Sequence, residues 1–278
     1  MGTDFSLKEY KNNESQLKSF NNLGYAFFKN VLSRQEILEL RNAMDQLTPI
    51  KESFDRDGIH PEDNFFEKHI KCVFNRDPVF LSYVDRKEII DFVASAVGHK
   101  VHAGSRNLEY ENFHIIGMTA WVTGPGRTDQ QLHCDWLPFP LPEDVIKDPR
   151  VKVPLLVTTV HYYLDNLFED LGPTKFVPGS HLSGRLPNGD TSWNGQEEQS
   201  ILCDAGDVLV FRSDIWHRGT ANKSNQNRYL LQVHYANRMI AQKFPPYLNQ
   251  FQFNQVILDQ ATPRQRRILG DHPNAAYD

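Results

Sequence analysis

The run Gln131-Leu132-His133-Cys134-Asp135-Trp136 decides how this chain is read, together with Asp214-Ile215-Trp216-His217-Arg218-Gly219 and Arg228 further on. In an extended strand, residues two apart point to the same face. His133 and Asp135 then present an imidazole and a carboxylate side by side, as two ligands of one metal. His217 follows the strand-like run Asp207-Val-Leu-Val-Phe-Arg212 and supplies a third.

Working outward, residues 113 to 240 are short β-type runs divided by Gly, Pro and Asn. Strands are expected near Ile115 to Thr123, Gln131 to Asp135, Leu155 to Leu164, Thr174 to Val177, Gln199 to Cys203, Val208 to Arg212, Asp214 to His217 and Tyr229 to Ala236. Short strands with turn signals between them indicate a mainly β protein with a double-stranded β-helix core, the cupin-like jelly roll. Residues 183 to 198 hold several Gly, Pro and Asn around Trp193 and read as a loop, either a lid with one aromatic contact or a plain surface turn.

Helices are expected to flank this core, packing on one sheet. A short helix around Glu14 to Asn22 leads to Gly24 and a strand at Tyr25 to Phe28. Ser33-Arg-Gln-Glu36 is a capping box, with Ile37, Leu40, Met44 and Leu47 at helical spacing and a stop before Pro49. Residues 50 to 78 show no clear period and read as a long loop bordering a ligand site. Lys87 to Val97 is a second amphipathic helix, and Thr262-Pro263 to Gly270 a short one with Pro first and Gly last. The expected organisation is one domain over 1–278: a helical flank (1–112), the jelly-roll core (113–240) and a C-terminal extension (241–278).

A chain of 278 residues buries enough core to fold without disulfides, and three scattered cysteines make neither a disulfide framework nor a Cys-rich zinc site. The net charge of -5, with both signs interspersed, lacks the basic stripe of a nucleic-acid binder. With no membrane-length apolar run and no signal-peptide pattern, a cytoplasmic protein without a membrane or nucleic-acid partner is expected.

Two histidines and one carboxylate on one face, with the opposite positions open, are the facial triad of non-haem Fe(II) sites. Enough chain separates Asp135 from His217 for the intervening strands to bring the metal-bearing ends together. Arg228 follows on the next strand, where Arg228, Leu230, Gln232 and His234 share a face. A guanidinium buried there needs an anionic partner, and a dicarboxylate provides one through a bidentate pair.

Gly172-Pro-Thr-Lys-Phe-Val-Pro-Gly-Ser-His181, the His133-x-Asp135 pair, Trp216-His217-Arg-Gly219 and Arg228 together resemble the phytanoyl-CoA dioxygenase family of Fe(II)- and 2-oxoglutarate-dependent oxygenases. The resemblance implies iron on His133, Asp135 and His217, and Arg228 on the distal carboxylate of 2-oxoglutarate. Dioxygen would be the oxidant, with 2-oxoglutarate converted to succinate and carbon dioxide as a substrate C–H bond is oxidised. Asp at position 135 leaves no vacancy for a halide, which favours hydroxylation, or a related desaturation or ring closure, over halogenation. The family often has Ser two residues after the distal His. This chain has Gly219 there, so Thr220 or a residue of strand Leu155 to Leu164 is expected to supply the hydroxyl.

Thr119 and Trp121 share one face of their strand and are candidates for the co-substrate site. Trp136, Phe139, Trp193 and Arg106 are candidates for substrate contact. The remaining histidines fall in no ligand spacing, and His234 is expected to play a supporting polar role beside the metal. The expected activity is hydroxylation of a small molecule, leaning towards a secondary metabolite such as an alkaloid. The rivals are a cupin-type metal enzyme that does not use 2-oxoglutarate and a non-catalytic jelly-roll binding module.

Overall fold

The computed structural model describes residues 14–48, 67–97, 101–103, 108–110, 112–148, 150–151, 154–242 and 252–271. Helix α1 (Glu14–Leu23) buries Phe20, and Gly24 at φ +92° turns the chain into strand β1 (Tyr25–Phe28). A Cβ at Gly24 would stand 2.6 Å from the Ile215 side chain, so both the turn and the close packing require glycine. Ser33 caps α2 (Arg34–Gln46) through the expected reciprocal box with Glu36, and Leu40 and Met44 face the core. Helix α3 (Lys87–Val97) buries Ile89, Ile90, Phe92, Val93 and Val97.

The expectation of a structureless segment over 50–78 fails in its second half. Glu67–Lys71 is a strand, β2, followed by 3₁₀ turns at Val73–Asn75 and Pro78–Tyr83. Only Ile70 of β2 is fully buried, so the strand lacks the apolar alternation by which sequence patterning finds strands. Residues 50–66 of that segment lie outside the described residues.

A two-stranded ribbon pairs β3 (Val101–Ala103) with β4 (Leu108–Tyr110). The main strands then follow: β5 (Phe113–Thr123), β6 (Val157–Tyr163) and β7 (Thr174–Phe176), with a single turn of helix, α4 (Glu143–Ile146), after β5. A small hairpin joins β8 (Ser192–Trp193) to β9 (Gln196–Glu197) across Asn194-Gly195, both at positive φ. After it come β10 (Gln199–Ser200), β11 (Val208–Arg212), β12 (His217–Gly219) and β13 (Arg228–Asn237). The chain continues into α5 (Gln255–Leu258) and α6 (Pro263–Leu269), the latter closed by Gly270 as expected.

The strands form a six-stranded antiparallel sheet, ordered β1-β11-β6-β13-β5-β2, and a three-stranded sheet, β10-β7-β12. This is the double-stranded β-helix expected from the sequence. Three expected strands are shorter or displaced, among them Gln199 to Cys203, of which only Gln199–Ser200 pairs as a strand. Gln131 to Asp135 contributes a single β-bridge, His133 to His217, and Asp214 to Trp216 form a turn that the Arg212–Asp214 side-chain pair helps to hold, the strand starting at His217.

Alternate residues of the large sheet serve two packing layers. Val208, Val210, Val160, Tyr162, Leu231, Val233 and Tyr235 pack towards α1, α2 and α3. Leu209, Phe211, Tyr163 and Leu230 pack inward on Phe176 and Ile215, between the sheets. Central strands covered on both faces read as continuous apolar runs. All seven residues of β6 are accordingly buried. The inner face also carries the polar side chains of the site.

Candidate active site

The β-bridge between His133 and His217 extends the small sheet by one residue, and this places the two imidazoles with ring centroids 4.5 Å apart. Asp135 follows two residues after His133, and its Oδ1 lies 3.8 Å from His133 Nε2 and 3.6 Å from His217 Nε2. One ligand atom from each of the three residues lies within 4.8 Å of the others. His133 Nδ1 donates to the Gln131 carbonyl at 2.8 Å and His217 Nδ1 to the Ile215 carbonyl at 3.0 Å. With Nδ1 protonated in each ring, both Nε2 lone pairs face Asp135 and are available to one cation. Burial alone would raise the Asp135 carboxyl, but His217, His234 and His133 hold it well below the usual carboxylate range, as an anion.

Around this triad lies a cavity of about 680 Å³. Its wall includes Thr119, Trp121, His161, Thr174, Arg228, Gln232 and His234, with Glu67, Arg127 and Gln130 beside Arg228. Arg228 starts β13 opposite Thr123 of β5 and is buried there, 7% exposed. Its Nη2 donates to Thr123 Oγ1 at 3.2 Å, while its Nη1 is buried with no partner. Burial first, and then the charge of Arg127, push the guanidinium down to about 10, so it stays charged at neutral pH. An unpartnered N–H on a buried cation is costly and marks the place for an anion.

Trp121 Nε1 donates to Gln232 Oε1 at 2.9 Å, which leaves the Gln232 amide nitrogen to donate to His161 Nε2 at 3.0 Å. Burial, followed by the charge of His217, holds the His161 imidazole neutral. The stretch of wall between the triad and Arg228 is thereby polar but uncharged. His69, a partner of Trp121 across β2 and β5, meets its ring edge-on, with centroids 3.4 Å apart.

The structure brings His133, Asp135, His217, Arg228, Thr119 and Trp121 to one cavity and places Thr220, Trp136, Phe139 and Trp193 elsewhere. Thr220 donates its hydroxyl to the Pro173 carbonyl at 2.6 Å and is absent from the cavity wall. Thr174, opposite Gly219 in the β7–β12 ladder, lines the cavity in its stead. Trp136 and Phe139 line a second, smaller hollow with Leu155, Leu182 and Arg212, because the chain turns outward after Asp135. Trp193 is buried against Val177 and Trp216. Arg106 lies outside the described residues. Glu67, Arg127 and Gln130 were not legible as site residues: they sit in segments without periodicity, and only a buried-charge argument from the folded chain finds them.

The family model for phytanoyl-CoA dioxygenase (PhyH) matches residues 20–229, which include every residue of the triad and Arg228 and stop just inside β13. The chain belongs to the phytanoyl-CoA dioxygenase family. That family is Fe(II)- and 2-oxoglutarate-dependent and uses dioxygen. An uncharacterized protein of Mycobacterium tuberculosis is 23% identical over 259 residues, covering 91% of this phytanoyl-CoA dioxygenase family member and 84% of the relative. The dioxygenase cdmA of Talaromyces verruculosus is 26% identical over 152 residues, or 52% of this chain and 46% of its own. Among solved structures, HygX from Streptomyces hygroscopicus with nickel and 2-oxoglutarate bound superposes with a TM-score of 0.60 at 16% identity, over 82% of this chain and 89% of that one. SnoK, the non-haem alpha-ketoglutarate-dependent carbocyclase of nogalamycin biosynthesis, gives 0.56 at 19% identity, over 81% and 83%. These likenesses show the shared fold. No helix among the described residues is long and apolar enough to cross a membrane.

Proposed function

We propose that this family member is an Fe(II)- and 2-oxoglutarate-dependent dioxygenase that hydroxylates an aliphatic C–H bond of a small molecule in secondary metabolism. The observation that carries the reading is the buried, unpartnered Nη1 of Arg228 in the same cavity as two free imidazole nitrogens and an ionised carboxylate. Three donors of that kind suit a divalent first-row metal with open positions. A cationic anchor on the same wall suits the far carboxylate of a dicarboxylate co-substrate.

His133, Asp135 and His217 would hold iron, and Arg228, held by Thr123, would hold 2-oxoglutarate together with Thr174. When bound, iron and 2-oxoglutarate couple dioxygen to oxidation of a substrate C–H bond, with succinate and carbon dioxide released. The chain's own residues do the positioning. Thr159 fixes the Asp135 carboxylate, the paired Nδ1 bonds fix both rings, and Gln232 orients Trp121 and His161 between the two ends. Asp135 occupies the position that a halide would need, which supports oxygen insertion over halogenation.

The neighbours include a carbocyclase and an epimerase, so the outcome of C–H removal is tested directly. Turnover of a candidate substrate under ¹⁸O₂ gives labelled alcohol if the reaction is hydroxylation. Succinate formed with unlabelled, ring-closed or epimerised product would refute hydroxylation while retaining the cofactor pair. The substrate class is proposed on the likeness to dioxygenases of Talaromyces verruculosus and Aspergillus terreus and to a carbocyclase of nogalamycin biosynthesis, and on the mixed polar and aromatic cavity wall. All three cysteines are free thiols, in keeping with a cytoplasmic location.

A further inference from the structure

Position 219 is glycine although the family resemblance leads to serine there, and the structure supplies a physical reason. A Cβ on Gly219 would lie 2.9 Å from Gln130 Oε1 and 3.2 Å from Arg127 Nη1. Both contacts are tighter than a side chain tolerates unless its neighbours shift. Gln130 Oε1 accepts from Gly219 N at 2.8 Å, and Arg127 Nη1 donates to the Gly219 carbonyl at 3.3 Å, so the two side chains close over this backbone from the cavity side.

Arg127 is held there by its own loop. Gly126 N donates to the Asn222 carbonyl at 2.9 Å and Asn222 N to the Arg127 carbonyl at 3.0 Å, which pins the turn after β5 to the turn before β13. The guanidinium is 7% exposed and lines the cavity next to Arg228. Its side-chain contacts are long, 3.3 Å to Gly219 and 3.5 Å from Nη2 to Glu67 Oε1, well short of what five donors can make. Glu67 of β2 and Arg228 of β13 flank Thr123 of β5, so this row carries one cation and one carboxylate across three neighbouring strands, and Arg127 reaches Glu67 from the loop after β5. Asp165, the other carboxylate acting on Arg228, is paired with Arg41. Two buried guanidiniums in one cavity repel one another unless an anion lies between them.

We propose that Arg127 is a second specificity-determining contact to the distal carboxylate of 2-oxoglutarate, so that this chain grips that group with two guanidiniums, and that Gly219 is the space Arg127 requires. The inference rests on the reading of Arg228 given under the proposed function. It assigns to the loop after β5 a charge where the resemblance predicts a hydroxyl after β12.

The test measures binding of two 2-oxo acids to the nickel-loaded, full-length protein by isothermal titration. 2-Oxoglutarate has the distal carboxylate; 2-oxobutyrate has the same keto-acid end and lacks it. Arg127→Met is expected to raise the Kd for 2-oxoglutarate by roughly 10- to 100-fold, the range of one lost charge-assisted hydrogen bond, and to leave 2-oxobutyrate within about twofold. Gly219→Ser is expected to weaken 2-oxoglutarate in the parent chain and to strengthen it in the Arg127→Met background, a reversal that a purely structural Arg127 does not produce. If Arg127→Met does not fold, Arg127→Lys is the variant read. It keeps the charge, loses the fork, and is expected to show a smaller loss with the same selectivity. Equal weakening of both acids, or of neither, overturns the inference. If Arg228→Met also leaves 2-oxoglutarate binding unchanged, the reading of Arg228 fails with it. If Arg228→Met is selectively weakened and Arg127→Met is not, the inference about Arg127 alone falls.

Discussion

Thr159 Oγ1 lies 3.4 Å from Oδ2 of Asp135, the carboxylate oxygen turned away from the two imidazoles. The same hydroxyl lies 3.1 Å from Ser213 Oγ and 3.1 Å from His234 Nδ1. One O–H donor and two lone pairs account for all three contacts if Thr159 donates to Asp135 and accepts from the other two. Thr159 therefore fixes the carboxylate that completes the triad. Thr159→Val keeps the shape and removes the hydroxyl. It is expected to weaken divalent-metal binding by roughly 10- to 100-fold, as read by nickel titration, without loss of the folded state. An unchanged affinity would mean that Asp135 needs no support.

The amide of Gln232 is committed at both ends, to Trp121 and to His161. Gln232→Leu leaves an indole N–H and an imidazole nitrogen unsatisfied on the cavity wall. Urea denaturation is expected to show a loss of about 1–3 kcal/mol. No measurable loss would indicate that water reaches both groups.

Stability should fall with acid because buried imidazoles are neutral in the fold. Burial, then the charge of Arg212, lowers His181 to about 4, and burial followed by Lys71 and Arg127 lowers His69 to about 3. Both imidazoles titrate near 6.5 when unfolded, so between 6.5 and these values the unfolded chain binds protons that the native chain does not. Their contribution is fully present above pH 6.5 and is lost as pH falls through the folded values, by up to about 1.4 kcal/mol per pH unit for the buried His181 and by less for His69, whose side chain is 34% exposed. His181→Gln, read by thermal unfolding from pH 7 to pH 4.5, should flatten that slope. An unchanged slope would remove His181 from the account.

Ser33 closes the first turn of α2, and its partner Glu36 also receives Arg86, which donates to the Val31 carbonyl at 2.8 Å. Ser33→Ala should cost about 1 kcal/mol in chemical denaturation. A loss far below this would show that Arg86 holds the helix start unaided.

Much of this architecture was legible because local signals and packing agree. The capping box at Ser33, the short helix with Pro263 first and Gly270 last, the Lys87–Val97 stripe and the apolar runs of β6, β11 and β13 each describe one environment, and each forms where expected. Strand alternation settles that Arg228, Leu230, Gln232 and His234 of β13 share a face, whereas His133 reaches His217 through a single β-bridge rather than the expected strand. β2 escaped because its inner face borders a polar cavity, so Glu67, His69 and Lys71 break the pattern that identifies a strand. Thr220 was misplaced because the choice between its hydroxyl and that of Thr174 depends on which strand edge faces inward, and that is fixed by the β7–β12 ladder. Trp136 and Phe139 were drawn to the metal by adjacency in sequence, whereas the chain leaves the cavity directly after Asp135.

The central claim is that one cavity holds ferrous iron on His133, Asp135 and His217 together with 2-oxoglutarate on Arg228. It is tested most directly by anaerobic titration of the metal-free protein with Fe(II) and 2-oxoglutarate, following the visible charge-transfer band of the chelated pair. The account predicts a band that saturates near one equivalent of each, is absent in His133→Ala, and requires far more 2-oxoglutarate in Arg228→Met. Iron bound stoichiometrically with no band at any 2-oxoglutarate concentration would contradict it and leave a cupin-type metal site in its place.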